Sequence, residues 1–306
     1  MGILTKICSL FREWDTMTLL RNLKFLTSKS LWLEYLRHKD EAVEMCVFEL
    51  EELKNQLLPL IPHVLDKAES LNLLETQPKS FTRFGDGEIA IMEGQSIAFQ
   101  KYDAELARKM RAILKTKRDD LYVGICSYFH AIPFTALEHN RRFHLATITG
   151  LRRFVMKETN PEMQYLHASC LIWYVGALRG KACDTVMNRE RQLFAGKRIA
   201  VVAGKGILDK LSYDVFGLAA EKVIIYAPSK NAFSQYSEIM NKITITVSKD
   251  YLVCIILGPT ATVMAADLTD MGYMAWDVGH IAKDYDAYMR GCAVTNDMLA
   301  DFWSPD

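Results

Sequence analysis

The chain has 306 residues, with 37 basic and 37 acidic side chains, a hydrophobic share of 50% and a charged share of 24%. A chain of this length can bury one large core or two small ones, and this composition excludes a largely disordered protein. A net charge of zero argues against a protein built to cover nucleic acid.

Three features of the chain bear on its location. Its seven cysteines are scattered and none forms a C-x-x-C pair, which predicts reduced core thiols in a cytosolic protein. No run of about 18 apolar residues occurs, so we expect no membrane-spanning helix. The start of the chain is charged by Arg12, which makes it a poor secretory signal.

Residues 1–76 are predicted to form a helical N-terminal extension. From Asp40 to Leu60, apolar side chains recur at spacings of three and four, at Val43, Val47, Leu50, Leu53, Leu57 and Leu60. This spacing indicates an amphipathic helix, and residues 14–38 carry a rougher version of it. The early helices are basic and contain Trp and Leu, which leaves two readings open. They pack on the body of the protein or a dimer partner, or they lie on the inner face of an anionic membrane.

From Gln77 onward, short apolar runs alternate with helical patterns. Ser80–Phe84 and Leu121–Cys126 are predicted strands, and Asp103–Lys115 is a predicted helix. Residues 130–195 are predicted to be mainly helical, with prolines as punctuation.

The last third of the chain contains four more predicted strands, each followed by a small or polar loop. They are Arg198–Ala203, Val223–Tyr226, Tyr251–Leu257 and Met274–Asp277. Helices are predicted between them, including one from Gly206 to about Ala220. Continuous apolar strands separated by helices are typical of a parallel sheet. The sequence therefore predicts an α/β fold over residues 77–306, a Rossmann-like parallel sheet with helices on both faces.

The sharpest candidate for chemistry is the turn after Ser80–Phe84. Asp86 and Glu88 stand two residues apart beside Gly85, and in an extended segment their carboxylates point to the same side. Two such carboxylates suit Mg²⁺ or Mn²⁺ together with diphosphate oxygens, and Arg83 could hold a phosphate through its guanidinium fork. The alternative is a surface turn in which Asp86 caps the next helix and Glu88 lies in its first turn.

Small and polar residues also follow the later strands, at the edge where open parallel sheets bind ligands. The candidate ligand-binding residues there are Gly204, Ser229, Lys230, Asn231, Gly258, Pro259 and Thr260. Free amides at helix N-termini suit a phosphate; the alternative is a plain turn in which Thr260 caps a helix. Asp277 and His280 could act as a base, a metal ligand or a nucleotide contact, while a structural role is the alternative for the histidine.

With these loops assembled, the chain resembles a bacterial family of glycosyltransferases with the GT-D fold, formerly a domain of unknown function. The resemblance covers about residues 78–290 and rests on SFTRFGDGE (80–88), FQKYDAELARKM (99–110), PSKNAFSQYSEI (228–239), LGPTATVMAADLTDMGY (257–273) and WDVGHI (276–281). It implies a D-x-E element, here Asp86 and Glu88, that serves a divalent metal and the donor diphosphate. The family's acidic residue after G-H-I is Ala282 here, and Asp284 stands two positions later.

The resemblance implies a Rossmann-like nucleotide-sugar transferase. We therefore expect an enzyme dependent on Mn²⁺ or Mg²⁺ that transfers a hexose from a UDP-sugar to a hydroxyl of a glycan or glycoconjugate. Its candidate catalytic residues are Asp86, Glu88, Asp277 and His280, with Asp284 as a further candidate base. No nucleic-acid partner is expected, and the N-terminal helices are candidates for homo-oligomer contacts. The alternatives are a nucleotide-binding module without turnover and a metal-dependent phosphohydrolase.

Overall fold

The computed structural model describes residues 28–56, 61–128, 138–175 and 183–303. The chain divides into two compact units between Leu57 and Leu58. The first unit contains helix α1, Lys29–Gln56, which includes the predicted amphipathic helix as far as the described residues extend. The predicted helical pattern before residue 28 and the end of the amphipathic pattern, residues 57–60, lie outside the described residues.

Helix α1 exposes several apolar side chains, among them Leu33, Val43 and Leu50. Side chains one turn apart also pair on it, as Arg37 does with Glu41 at 3.8 Å. Within the described ranges, no helix has the length and apolarity needed to cross a membrane. Both readings of the N-terminal extension, packing on protein and binding at a membrane surface, stay predictions.

The second unit, as far as it is described, contains eight strands and nine helices. The strands are β1 (His63–Val64), β2 (Ser80–Phe84), β3 (Leu121–Ile125), β4 (Gln164–His167), β5 (Arg198–Gly204), β6 (Glu221–Ala227), β7 (Leu252–Ile256) and β8 (Met274–Asp277). The helices are α2 (Lys67–Thr76), α3 (Asp86–Met92), α4 (Ala104–Lys115), α5 (Glu138–Glu158), α6 (Cys183–Gln192), α7 (Tyr236–Thr246), α8 (Pro259–Asp270), α9 (Ile281–Met289) and α10 (Asn296–Phe302).

The eight strands form one sheet in the order β1-β4-β3-β2-β8-β7-β5-β6, and each neighbouring pair is parallel. The predicted α/β fold with a parallel sheet is confirmed. Strands β2 and β8 meet at the centre, where Phe81 is paired with Trp276. Since β3 and β4 continue to one side of β2 while β7 and β5 lie on the other side of β8, the loops that leave the two central strands diverge. A junction of this kind opens a crevice at the carboxyl edge of the sheet.

Helices cover both faces of the sheet, because successive residues of a strand face opposite cores. On β5, Ile199 and Val201 pack in a core that includes residues of α2, α6 and α9. The intervening Ala200 and Val202 pack in a second core with residues of α7 and α8. This alternation explains why the strand reads as a continuous apolar run in the sequence.

The predicted strands are confirmed to within two residues at each end, and Ser80–Phe84 and Met274–Asp277 match at both ends. Where residues 130–195 are described, they contain the helices α5 and α6, as predicted, and also β4, a strand of only four residues that was not expected. Residues 130–137 and 176–182 of this region lie outside the described residues. Strand β1 and helix α2 belong to the second unit, whereas the sequence analysis assigned them to the N-terminal extension. β1 pairs with β4, so it completes one edge of the sheet.

The prediction of a helix from Gly206 to about Ala220 is wrong. Only the short 3-10 turn Leu208–Lys210 forms there, followed by bends and turns. Asp286 of α9 explains the difference, because its Oδ1 accepts hydrogen bonds from the backbone N–H groups of Ser212 (2.8 Å) and Tyr213 (3.0 Å). Backbone donors that bind a side chain of another element are not available for a helical ladder.

A buried carboxylate anchors the segment that follows β4. Asp284 of α9 has no exposed surface, and its oxygens accept hydrogen bonds from the backbone N–H groups of Trp173 (2.8 Å), Tyr174 (2.9 Å) and Val175 (2.9 Å). Lys67 of α2 donates to the carbonyl of Ile172, at 2.8 Å, in the same segment. Asp284 is thus engaged in holding the backbone and does not line the cavity described below.

We expect Asp284→Asn to lower the free energy of unfolding by about 2–5 kcal/mol, because the amide places a donor where the backbone offers donors only. Urea unfolding measures this change. Asp119→Asn, at an exposed position, is the matched control and should leave stability nearly unchanged. Equal stabilities of the two variants would contradict the anchoring role of Asp284.

Candidate functional site

A cavity of about 480 Å³ opens at the carboxyl edge of the sheet. Each strand from β2 to β8 contributes to its lining through the loop that follows it, with Gly85, Cys126, Ser169, Ile207, Ser229, Gly258 and His280 among the residues involved. Helices α3 and α5 and Trp303, which follows α10, complete the wall. Its size lies within the range of sites for small molecules and cofactors.

Asp86 and Glu88 both line this cavity, but they lie in the first turn of α3 and not in an extended segment. Gly85 is the residue that caps α3, so the alternative with Asp86 as the cap is wrong. Glu88 Oε2 accepts a hydrogen bond from the backbone N–H of Gly85 at 2.7 Å. The carboxylate of Glu88 is therefore fixed by its own helix N-terminus.

The environment disfavours negative charge on both carboxylates. Glu88 is 8% exposed, and burial raises its pKa to about 7 although Arg83 opposes the shift. Asp86 is exposed to the cavity, yet the loss of surrounding water raises its pKa as well. A cation bound between the two carboxylates would offset this cost. Carboxylates with shifted pKa values are common at functional sites.

Arg83 is held in place by Asp277. Its Nε donates to Asp277 Oδ1 at 3.1 Å, and the N–H of Gly279 donates to the same oxygen at 3.1 Å. Asp277 is 2% exposed and lies behind Arg83, away from the cavity lining. Gly279 has a φ of +53°, and a Cβ at this position would stand 2.2 Å from Arg83 Nη2. Only glycine fits where the β8 loop passes the guanidinium group.

His280 lines the cavity from within an aromatic cluster. Its ring lies 6.0 Å from that of Phe99, 5.4 Å from Phe302 and 5.1 Å from Trp303. Nδ1 is buried and has no hydrogen-bond partner among the described residues. Burial lowers the pKa of His280 to about 3, so the imidazole is neutral over the physiological range.

The start of α8 reaches the cavity through Gly258 and Pro259. Gly258 caps this helix with a φ of +53°, and Pro259 is at its first position. Thr260 is fully buried and does not cap the helix, contrary to the alternative reading of this loop. Its Oγ1 bonds to Oε1 of Gln100 at 3.2 Å.

Gln100 joins three of the loops that shape the cavity. Its Nε2 donates to Asn231 Oδ1 at 2.7 Å, in the loop after β6, and its Oε1 accepts from the N–H of Phe233 at 3.2 Å. The same Oε1 meets Thr260 at the start of α8. Asn231 also donates its backbone N–H to the carbonyl of Phe99, at 2.7 Å. Gln100 is only 3% exposed, so this side chain acts as a buried bridge between loops.

The structure brings most of the predicted site residues to the cavity. Those that line it are Arg83, Gly85, Asp86, Glu88, Ser229, Gly258, Pro259 and His280. The predicted residues outside the lining are Gly204, Lys230, Asn231, Thr260 and Asp277. Gly204 lies against the β6 loop, where a Cβ would stand 2.5 Å from the Cα of Ser229.

Sequence reasoning missed the apolar part of the lining. It includes Ile97, Phe99, Phe143 and Trp303. The string FQKYD, which contains Phe99 and Gln100, is a signal in the sequence for part of this lining. Phe143 and Trp303 follow no strand, so the rule of searching at strand ends does not find them.

Comparisons with known sequences agree with this architecture. A sequence model described as the glycosyltransferase GT-D fold matches residues 81–301. The probable glycosyl transferase Gly of Streptococcus gordonii is 27% identical over 250 residues, which is 75% of this chain and 33% of that protein. The glycosyltransferase GlyD of Streptococcus pneumoniae serotype 4 is 28% identical over 234 residues, which is 73% of this chain and 27% of that protein. The chain thus spans a third or less of the length of these relatives.

Solved structures give the same result. A structure described as the domain of unknown function 1792 with a distinct glycosyltransferase fold has a TM-score of 0.72 and 31% identity, with 81% of this chain and 87% of the other covered. A structure described as a new glycosyltransferase of the same domain type, from Streptococcus sanguinis, has a TM-score of 0.69 and 26% identity, with 75% and 85% covered.

We expect Gln100→Leu to lower the free energy of unfolding by about 1–3 kcal/mol, because the leucine strands polar groups on the loops that Gln100 joins. Gln95→Leu, at an exposed position five residues earlier in the same connection, is the control and should have little effect. Chemical unfolding of the two variants tests this. A Gln100 variant as stable as the Gln95 variant would contradict the bridging role.

His280 should make stability depend on pH. Its folded pKa is lowered from 6.5, so below pH 6.5 the unfolded chain binds a proton that the folded chain does not, and folding stability falls as the pH falls. Relative to His280→Phe, the wild type should lose about 1.4 kcal/mol of stability between pH 7.5 and pH 5.5.

Urea unfolding of both proteins at the two pH values measures the difference. Comparing variant with wild type cancels the opposite contribution of Glu88, whose raised pKa favours the folded state as the pH falls. Parallel pH dependences of the two proteins would contradict burial of a neutral imidazole.

Proposed function

The chain belongs to the glycosyltransferase GT-D fold family, and from this premise we propose that it transfers a hexose from a UDP-hexose to a hydroxyl of a glycan or glycoconjugate. One observation carries the proposal. Two carboxylates and an arginine, Asp86, Glu88 and Arg83, line the same cavity of about 480 Å³ at the carboxyl edge of a parallel sheet. Open α/β sheets bind nucleotides at this place.

Two features around these residues support binding of the donor diphosphate. The start of α8, at Gly258 and Pro259, lies in the lining, and a helix N-terminus carries partial positive charge and free amides. The guanidinium group of Arg83 matches the geometry of phosphate oxygens. Asp277 and Gly279 keep the guanidinium group in one position, so the arginine needs little reorganisation to bind an anion.

The residues fit a divalent cation, Mn²⁺ or Mg²⁺. Asp86 and Glu88 would hold it, since their surroundings penalise negative charge and a cation would relieve that penalty. Within the described residues, no group of three or more His, Cys, Asp and Glu side chains surrounds a common point. A site with few carboxylates leaves coordination positions for diphosphate oxygens and water, as Mg²⁺ sites commonly do. When bound, the cation would stabilise the negative charge of the departing diphosphate.

In the proposed reaction, the oxygen of the acceptor hydroxyl forms a bond to the anomeric carbon of the hexose. The bond between that carbon and the diphosphate oxygen breaks, and UDP leaves with the electron pair. Arg83 would stabilise the charge that develops on the leaving diphosphate. The hydroxyl proton passes to a base of the protein.

The positions of the candidate residues support some of them as the base more than others. Asp277 is paired with Arg83, and Asp284 holds three backbone N–H groups, so neither is placed to meet an acceptor in the cavity. Asp86, Glu88 and His280 do reach the cavity. The proton acceptor would therefore be one of these three, because a base has to reach the proton that it removes.

We expect Asp86→Asn and Glu88→Gln each to lower UDP release from UDP-hexoses in the presence of Mn²⁺ by about 100-fold or more, with the fold retained. UDP release, calorimetry of UDP binding with and without Mn²⁺, and thermal melting measure the three effects separately. Glu93→Gln, at the exposed end of α3, is the matched control and should release UDP at the wild-type rate.

Several outcomes would contradict the proposal. Wild-type rates in both variants would remove Asp86 and Glu88 from the site. Release of hexose phosphate without an acceptor would indicate the phosphohydrolase, and UDP binding without turnover of any UDP-hexose would indicate the non-catalytic module. Loss of folding in place of loss of turnover would assign Glu88 a structural role at the start of α3.

A further inference from the structure

The cavity extends over both halves of the sheet. On the side of β7, β5 and β6 it is lined by Gly258, Ile207 and Ser229. On the other side, beyond the carboxylates that follow β2, it is lined by Cys126 after β3 and Ser169 after β4. Asp86 and Glu88 lie between the two halves, because β2 is next to β3 on one side and next to β8 on the other. Two ligands could therefore meet at the carboxylates, one from each half of the cavity.

Two exposed aromatic side chains line the cavity from α5, the helix that connects β3 to β4, and from the end of α10. Phe143 of α5 is 43% exposed and Trp303, directly after α10, is 37% exposed, and both line the cavity. α10 packs against α5, which brings these elements together. An aromatic residue that keeps this much surface exposed beside a cavity is typical of a ligand-binding surface.

Trp303 is held by its neighbours. Its ring lies 4.7 Å from Phe302, in an edge-to-face arrangement, and 5.1 Å from His280, also edge-to-face. Phe302 is only 6% exposed and so fixes the end of α10 in the core. A ring held in this way loses little conformational freedom when a ligand covers it.

We propose that Trp303 and Phe143 form the acceptor subsite and that its ligand is the pyranose ring of a glycoside. This inference rests on the proposed function, which places the donor diphosphate at Arg83 and the start of α8. A transferase must hold its acceptor hydroxyl within bonding distance of the anomeric carbon, so the acceptor occupies the half of the cavity that the nucleotide leaves open. Phe143 belongs to α5, which connects β3 to β4, and Trp303 follows α10, which packs against α5, so we assign both to that half.

The chemistry of this half fits a sugar ring. A pyranose has one or both faces covered by C–H groups and an edge of hydroxyls. The C–H faces pack on aromatic rings, whose faces carry partial negative charge. Ser169 lies in the lining nearby and offers a hydroxyl to the polar edge. An extended peptide needs backbone partners along its length, which an aromatic wall does not supply.

The test uses the full chain labelled with 5-fluorotryptophan, in the presence of UDP and Mn²⁺. The resonance of Trp303 is identified by its loss in Trp303→Phe. The probes are the methyl glycosides of glucose, galactose and N-acetylglucosamine, and a serine-containing peptide. At least one glycoside should shift the Trp303 resonance in a saturable manner and leave the buried Trp276 unchanged.

Variants of the second aromatic residue extend the test. Phe143→Ala should weaken glycoside binding, followed at Trp303, by about threefold to tenfold, and Phe143→Tyr should bind as the wild type does. Tyr213→Ala is the control, since Tyr213 is 41% exposed and lies outside the cavity lining. It should not change glycoside affinity.

The inference is overturned if no glycoside shifts Trp303, if only the peptide does, or if Phe143→Ala and Tyr213→Ala behave alike. UDP binding, measured by calorimetry on the same samples, separates this result from the proposed function. Normal UDP binding with an unperturbed Trp303 defeats the acceptor subsite alone. Absence of UDP binding counts against the donor assignment, whatever the glycosides do.

Discussion

The buried ion pair between Arg83 and Asp277 connects the two halves of the sheet. Arg83 is the next-to-last residue of β2 and Asp277 is the last residue of β8, 194 residues later in the chain, and their side chains meet at 3.1 Å. A buried charge without its partner is costly, so each residue requires the other. Thr262 of α8 adds to this junction by bonding the carbonyl of Arg83 at 3.1 Å. The crevice opens beside this contact, with the carboxylates of α3 following β2 directly and α8 bonded to β2 through Thr262.

The sequence was informative where one local rule decides the structure. Strands such as β5 and β8 are buried on both faces, so their apolar runs identify them directly. The helix predicted after Gly206 does not form, because the conformation of this segment depends on Asp286, a residue of a different element. Strand β1 has two residues, too few for a periodic pattern. Local patterns do not contain contacts between distant parts of the chain.

The same distinction holds for the candidate site. Asp86, Glu88 and Arg83 could be found because the carboxyl ends of parallel strands share one edge of the sheet. The conformation of the segment that carries the two carboxylates could not be predicted in the same way, since two acidic residues at this spacing occur both in extended turns and at the start of helices. Gln100 and Trp303 contact residues that are distant in the sequence, so no local pattern identifies them. The sequence therefore predicts the polar residues of the cavity, whereas its aromatic and bridging residues are identified only from the three-dimensional structure.

The close approach of Gly279 to Arg83 links the evolution of the two positions. Any side chain at 279 would collide with the guanidinium group, and the positive φ there is unfavourable for residues with a Cβ. Loss of the arginine would relax the first restriction and leave the second. A lineage of this fold that abandoned Arg83 would be expected to tolerate asparagine or aspartate at position 279, whereas a lineage that kept Arg83 would keep glycine. The pair thus offers a two-residue marker of the lineages that keep Arg83 at this junction.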